Sequence, residues 1–296
     1  MRSGWVFRLA ATLALAPGLA LAADAGDSSA YHIYPTPQAR GALPKPALRS
    51  TGTPRMLYYG GPVLSHVKIV SVIWGSGVNA TTVSKIGGFL GAVADSTFLD
   101  QLAEYGTNLT GTNGHAGTNQ KIGRGRYIGQ FTIVPRNTSR KLTDGAIQAE
   151  LRAQIAAGKL PKADLNTLYM TYFPANVSIT SFGKSCVAFG AYHSASSSTV
   201  TPGNLFYGVM PDCGRGFADL TMTSSHEIAE AVSDAIPTPG SHPAYPQAWN
   251  TSDGYEIADL CEGTRAALKT AGQSYAVQRV YLNSVRKCGG GTFTSP

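Results

Sequence analysis

The sequence has 296 residues, of which 43% are hydrophobic and 14% are charged, and its formal net charge is +7 at pH 7. The positive charges are spread thinly, with "RGRY" and "SRK" as the densest places. Nucleic-acid binding is not expected, because it calls for a Lys/Arg stripe with interleaved aromatic residues.

The first residues are typical of a secretory signal peptide. Arg2 and Arg8 flank the start of a short apolar run, and the small-residue pattern "ALA" ends at Ala22, where cleavage is expected. Removing residues 1–22 takes away two arginines and no acid, so the formal charge falls from +7 to +5. No later segment has the ~20 apolar residues that membrane spanning requires. We therefore expect a secreted protein, extracellular or periplasmic, without a membrane span.

Residues 23–55 carry prolines, glycines and small polar residues without an apolar period, which predicts an extended leader or linker. Residues 56–296 are predicted to form a single mixed α/β domain. In chain order, this domain shows patterns for a buried strand, a helix in two pieces, a strand, a helix, three further strands and a long helix. These segments are residues 65–75, 80–106, 126–134, 143–160, 166–174, 186–195, 204–213 and 217–235. The order predicts an α/β (α+β) fold, with a single mixed β-sheet and helices packed against it.

Four cysteines lie in the part of the chain that is expected to be exported: Cys186, Cys213, Cys261 and Cys288. Two structural disulfides are favoured over a thiolate metal site, because no CxxC pair is present. Three connectivities are possible. The pairs Cys186 with Cys213 and Cys261 with Cys288 are favoured, since each pair flanks a compact segment and closes a loop of similar length.

The stretch "SHEIAEAVSD" concentrates one histidine and three acids in ten residues. On a helix, residues four apart share a face, so His226, Glu230 and Asp234 would form one ridge, with Glu227 about 100° around. The stretch has two interpretations. It is either a metal-binding helix or a capping box from Ser224 to Glu227, in which the other acids form a solvated face.

Two features favour the metal-binding interpretation. The helix can begin near Phe217, which removes the need for a cap in its middle. A second acidic group, "YEIADLCEG", follows with Glu256, Asp259 and Glu262. Zinc hydrolases assemble a site with one open position from a ligand pair on a helix and a later carboxylate.

The sequence therefore predicts a zinc site in which His226 and Glu230 are ligands, Glu256 is the third ligand and Asp259 is a reserve ligand. Glu227 would polarise the metal-bound water. The usual motif is His-Glu-x-x-His, with a second histidine where this chain has Glu230. This difference makes a harder ion conceivable, Ca²⁺ or Mn²⁺, with more oxygen ligands.

Other residues are weaker candidates. His193, in "AYHSA", lies on an alternating strand from which it could reach a cleft, but this pattern is more typical of an ordinary strand histidine. His115, in a Gly/Asn-rich loop, is expected to be solvated. A Gly-x-Ser-x-Gly elbow is missing from the sequence, so a serine hydrolase has little support.

Several blocks resemble one family. The stretch "YYGGPVLSHVKIVSVIWG" resembles the "GGPVL…IWYG" opening of the EXORDIUM or phosphate-induced protein family of plants and its bacterial relatives. "SHEIAEAVSD" followed by "EIADLCEG" resembles two later blocks of that family. The matching residues are Gly60, Gly61, Pro62, His226, Glu227, Glu230, Glu256, Asp259 and Cys261. Asp234 stands where the plant proteins have Asn.

This resemblance implies an extracellular or cell-wall protein, associated in plants with growth control and poorly defined in its biochemical activity. The order of elements is also similar, at fold level, to zincin-type metallopeptidases. The leading hypothesis is a secreted metal-dependent hydrolase, in its most specific form a zinc peptidase, acting on a peptide or a cell-surface polymer. The alternative is a non-catalytic EXORDIUM-like protein with a structural acidic or cation site.

Overall fold

The computed structural model describes residues 1, 32–35, 53–181, 183–199, 201, 203–237 and 243–296. The expected signal peptide, apart from residue 1, and most of the expected leader lie outside these residues. The single-domain prediction for residues 56–296 remains a prediction.

The described part of the chain forms a central sheet, helices on both of its faces, and smaller sheets around it. The central strands are β1 (His32–Pro35), β3 (His66–Trp74), β4 (Gly123–Ile133), β6 (Thr167–Tyr172), β8 (Phe189–Ala195) and β9 (Phe206–Met210). The helices are α1 (Ala80–Ala94), α2 (Thr97–Asp100), α3 (Asp144–Ala156) and α4 (Phe217–Ser233), with 3-10 turns at Gln101–Tyr105 and Asp259–Cys261.

The smaller sheets pair strands that the sequence patterns did not predict. These strands are β2 (Leu57–Tyr58), β5 (Lys141–Thr143), β7 (Ser178–Thr180), β10 (Trp249–Asn250), β11 (Arg265–Lys269), β12 (Ser274–Gln278), β13 (Tyr281–Leu282), β14 (Lys287–Cys288) and β15 (Thr292–Thr294). They form a three-stranded sheet in the order β12-β11-β15 and the pairs β10-β2, β13-β14 and β5-β7. The chain thus adds small sheets to the one that the sequence predicts.

The central sheet is mixed, as predicted, and its strand order is β1-β8-β9-β6-β3-β4. Strands β4, β3, β6 and β9 run parallel, while β8 runs antiparallel to β9. The sequence of β3, "HVKIVSVIW", is buried along almost its whole length because parallel strands are covered on both faces. The α+β fold class is confirmed.

Two hydrophobic cores hold the helices against the sheet. The first joins one sheet face to α1 and α4, with Phe89 and Ile228 at its centre. The second joins the opposite face to α3 through Ile147 and Leu151. Helix α3 begins where the sequence predicts, because the Thr143 side chain accepts a hydrogen bond from the Ala146 amide.

Strand β1 lies inside the segment for which the sequence predicts an extended leader. It adds an edge strand to the sheet by pairing antiparallel with β8, and His32 stands opposite His193 in the register. The leader therefore contributes to the sheet, a role that its lack of an apolar period did not indicate.

Helix α4 carries the histidine and glutamates of "SHEIAEAVSD", and it begins at Phe217. Ser224 consequently lies in the helix interior, where its hydroxyl is 3.2 Å from the Tyr172 hydroxyl. The capping-box interpretation of Ser224 and Glu227 is therefore wrong. All residues from Thr221 to Ser233 are buried, so the acidic residues do not form a solvated face.

Both favoured disulfides are present, Cys186–Cys213 and Cys261–Cys288. The first joins the loop before β8 to the loop between β9 and α4. The second joins the 3-10 turn that follows Glu256 to β14. Disulfides of this kind are typical of proteins that fold in oxidising compartments. Among the described residues, no helix is long and apolar enough to cross a membrane.

Replacing both cysteines of either pair with alanine is expected to lower the free energy of unfolding by about 3.5 kcal/mol, from the chain entropy of the loop that is released. The two pairs have the same sequence separation, 27 residues, so the two double variants should lose similar amounts. Urea unfolding of both variants and of the wild type measures these losses. A loss well below ~1 kcal/mol in either variant would contradict the expectation.

Candidate metal centre

The centre is built on the ridge of α4 that faces β8. His226 and Glu230 are four residues apart, and His226 Nε2 lies 3.0 Å from Glu230 Oε2. Both side chains are fully buried. The helical spacing predicted this pairing, because the i and i+4 positions share a face.

The sheet supplies a second histidine to the centre. His193 on β8 is 1% exposed, and its Nε2 lies 2.9 Å from Glu256 Oε2 and 4.0 Å from Glu230 Oε2. The sequence left open whether His193 reaches a cleft or is an ordinary strand histidine, and the structure places it in a buried group with Glu230 and Glu256 that could hold a metal ion. The available signal was its position on a strand from which it could reach a cleft, but the sequence could not place β8 beneath α4.

The loop after β10 brings the later acidic group to the same place. Glu256 is fully buried beside His193. The Asp259 amide donates to Glu230 Oε1 at 3.1 Å, and Asp259 Oδ1 lies 3.8 Å from His226 Nε2. The predicted ligands His226, Glu230, Glu256 and Asp259 thus converge around Glu230.

The donor atoms fall into two groups that share Glu230. One group is His193, Glu230 and Glu256, and the other is His226, Glu227 and Glu230; within each group all donor atoms lie within 4.8 Å of one another. Donors of a tetrahedral zinc site with bonds of about 2.0–2.1 Å stand about 3.3–3.5 Å apart. Three of the separations, between 2.9 and 4.0 Å, bracket that value. Imidazole and carboxylate donors of this number and spacing fit a divalent ion.

The contacts of Gln278 determine which ring nitrogen of His226 carries the proton. The amide nitrogen of Gln278 lies 2.7 Å from the Ala258 carbonyl oxygen and 2.8 Å from His226 Nδ1. A carbonyl only accepts, so the contacting group must be the NH₂, and Nδ1 of His226 accepts from it. A neutral His226 then carries its proton on Nε2, facing Glu230. A metal ion can bind Nε2 only after this proton has left. If the proton moves to Nδ1, the side-chain amide of Gln278 has to flip so that its oxygen faces Nδ1.

Glu227 is the most unusual side chain of the centre. It is fully buried, and neither of its carboxylate oxygens has a hydrogen-bond partner among the described residues. Burial raises the pKa of Glu227 well above its usual value; nearby His226 lowers this pKa, and the carboxyl groups of Glu230, Glu256 and Asp259 raise it. A buried carboxyl of this kind is costly to ionise unless a cation or a water molecule is added.

The two motifs contain two further acids, Asp234 and Glu262, which make different contacts. Asp234 accepts from the Ala248 amide at 2.9 Å and from the Asn250 side chain at 2.6 Å. It therefore holds β10 against the end of α4, at the far end of the ridge. Glu262 caps the 3-10 turn after Glu256 through its backbone amide, which donates to Asp259, and it does not belong to either donor group.

No family model, characterised protein or solved structure matches this chain. The resemblances to the EXORDIUM family and to zincins therefore stay predictions.

Glu227→Gln is expected to stabilise the metal-free protein, because the glutamine cannot ionise. The pKa of Glu227 is higher in the folded chain than its value of 4.5 in the unfolded chain. The folded protein therefore holds this proton more tightly, and it loses stability as the pH rises from 4.5 toward the folded pKa. The gain in Tm from Glu227→Gln should consequently be larger at about pH 8 than at about pH 5.

Thermal melts in the presence of a chelator measure this gain. Asp253→Asn, at an exposed position, is the matched control and should show no comparable increase with pH. A Glu227→Gln variant that melts below the wild type at the higher pH would contradict the expectation.

Proposed function

We propose that this protein is a secreted metal-dependent hydrolase, in its most specific form a zinc peptidase. Glu227 is the observation that carries the proposal. It is buried beside a cluster of metal-binding donors and has no hydrogen-bond partner of its own among the described residues. Such a carboxylate lacks a structural role that would explain its burial, whereas a general base needs this position.

In this proposal, His193, His226, Glu230 and Glu256 provide the donors from which the ion takes its ligands, grouped around Glu230. A zinc ion supplies Lewis acidity to the attacking water and to the substrate carbonyl. Asp259 holds the Glu230 carboxylate in position, because the Asp259 amide donates a hydrogen bond to it. Fixing a ligand through a second layer of hydrogen bonds is a common feature of metal sites.

Glu227 acts as the general base. It takes a proton from the water as the new carbon–oxygen bond forms, and it then returns that proton to the amine that leaves when the carbon–nitrogen bond breaks. Burial raises the pKa of this carboxyl, and a carboxylate with a higher pKa is a stronger base. The two disulfides fit an exported protein.

One observation favours the second candidate, a non-catalytic EXORDIUM-like protein with a structural acidic or cation site. Gln278 donates to the Ala258 carbonyl and to His226 Nδ1, and His226 Nε2 lies 3.0 Å from Glu230 Oε2, so these side chains form a connected polar network. A network of this kind could serve only to hold β12 and α4 together. In that case Glu227 would have no reaction to catalyse.

The metal content of the purified protein tests the centre. We expect about one zinc ion per chain in the wild type and a large loss in both His193→Ala and His226→Ala, because each removes an imidazole donor. His115→Ala, which lies in an exposed loop, is the control. Elemental mass spectrometry gives the ratio of metal to protein. Calcium, manganese or no metal in the wild type would count against zinc, and an unchanged zinc content in His193→Ala would count against the ligand set.

The Glu227→Gln variant separates the two candidate functions. As a general base, Glu227 should be required for turnover but not for metal binding, so hydrolysis of a peptide library should fall by about 100- to 10,000-fold with the metal retained. The structural candidate predicts no turnover in the wild type. Mass spectrometry of cleaved peptides, together with metal analysis of the same samples, distinguishes these outcomes.

A further inference from the structure

A cavity of about 250 Å³ lies at the carboxyl ends of β6 and β9, between the first turns of α1 and α4. From β3 the chain passes through α1 to β4 on one side, and it returns through α3 to β6 on the other side of β3. Open α/β sheets bind ligands in the crevice where the winding changes direction in this way. That crevice lies between the carboxyl ends of β3 and β6, and the cavity borders it at Tyr172 and Phe173, where β6 ends.

Helix α4 connects the cavity to the metal centre. Asp219, Thr223 and Glu227 follow one another at intervals of four residues, so they share one face of the helix. Asp219 and Thr223 line the cavity. Glu227 lies one further turn along, about 6 Å deeper.

The sheet gives an independent measure of the same depth. Met210 lines the cavity at the end of β9. Gly208, two residues earlier on β9, is the register partner of His193. Two residues of a strand span about 6–7 Å. Helix and sheet therefore agree that the centre lies directly beneath the cavity, at a depth of about one helical turn.

The lining of the cavity indicates what it can hold. Apolar side chains, three of them aromatic, form one part of its walls: Tyr172, Phe173, Met210, Phe217 and Leu220. Polar side chains, among them Asn79, Thr81, Thr82 and Thr223, line another part. Its charged residues, Asp212, Arg215 and Asp219, are partly exposed and stay hydrated at the rim. An apolar cavity of about 150 Å³ is already large enough for benzene. The space therefore fits one aromatic ring with its attached chain.

We infer that this cavity is the substrate pocket of the metal centre and that it receives an aromatic side chain next to the bond that is cleaved. The inference rests on the proposed function, because it places the scissile bond at Glu227. Aromatic walls favour an aromatic guest through ring contacts. The cavity is also the route by which the ion reaches the buried donors.

Methionine-methyl NMR of the metal-free protein tests the occupant. Met210 lines the cavity, whereas Met56, Met170 and Met222 do not and serve as internal controls. Titration with N-acetylphenylalanine amide should shift the Met210 methyl signal, which Met210→Leu identifies, and the alanine amide should not shift it. An unaffected Met210 signal, or a response to the lysine amide instead, would overturn the aromatic assignment.

Leu220→Trp tests the link between the cavity and the centre by filling the cavity. The variant should lose the Met210 response, and its metal-free form should take up zinc at least about tenfold more slowly, since the route to the donors is narrowed. Leu165→Trp, at an exposed position outside the cavity, is the matched control, and near-native thermal melts of both variants show that they fold. Unchanged uptake of zinc by a folded Leu220→Trp variant would overturn the link.

The two proposals fail in different ways. A wild type that responds at Met210 but binds no zinc would overturn the proposed function and the link to it, leaving an aromatic pocket. A wild type that binds zinc but shows no response at Met210 would overturn only the pocket.

Discussion

Burial of several carboxyl groups between α4 and β8 is the constraint on which the rest of the site depends. Glu227, Glu230 and Glu256 are fully buried, and each carboxylate taken out of water costs several kcal/mol unless an opposite charge or hydrogen bonds compensate. His193 lies next to Glu256, and His226 and the amide of Asp259 lie next to Glu230. Glu227 is the member of this group that receives no hydrogen bond from the described residues, which is why we propose that the centre takes up an ion and catalyses a reaction.

The elements of the central sheet could be predicted from the sequence because their signals are local. The continuous apolar run of β3 and the helical period of α4 each depend on neighbours within one element. The cysteine pairing could also be predicted, since each pair encloses a compact segment. The i, i+4 relation placed His226 beside Glu230 in the same way. All of these inferences used spacing along the chain and nothing beyond it.

Contacts between distant elements could not be predicted in this way. His193 belongs to the centre because β8 turns antiparallel to β9 and passes under α4, and a five-residue alternation carries no information on that placement. Strand β1 was missed for a related reason: it is defined by backbone pairing with β8, far along the chain, and a local pattern does not indicate that pairing. Gln278 joins the centre from β12, 52 residues after His226. No spacing within "SHEIAEAVSD" could have indicated it.

The two disulfides have a consequence for when the centre can exist. Cys186–Cys213 ties the approach to β8, which carries His193, to the loop that leads into α4. Cys261–Cys288 closes the segment that follows Glu256 and Asp259. In a reducing cytoplasm neither link forms, and the donors would be held only by non-covalent packing. Under the proposed function, a chain built this way would complete its metal centre only after oxidation, so the host cell's own peptides would not be exposed to it while the chain is being made.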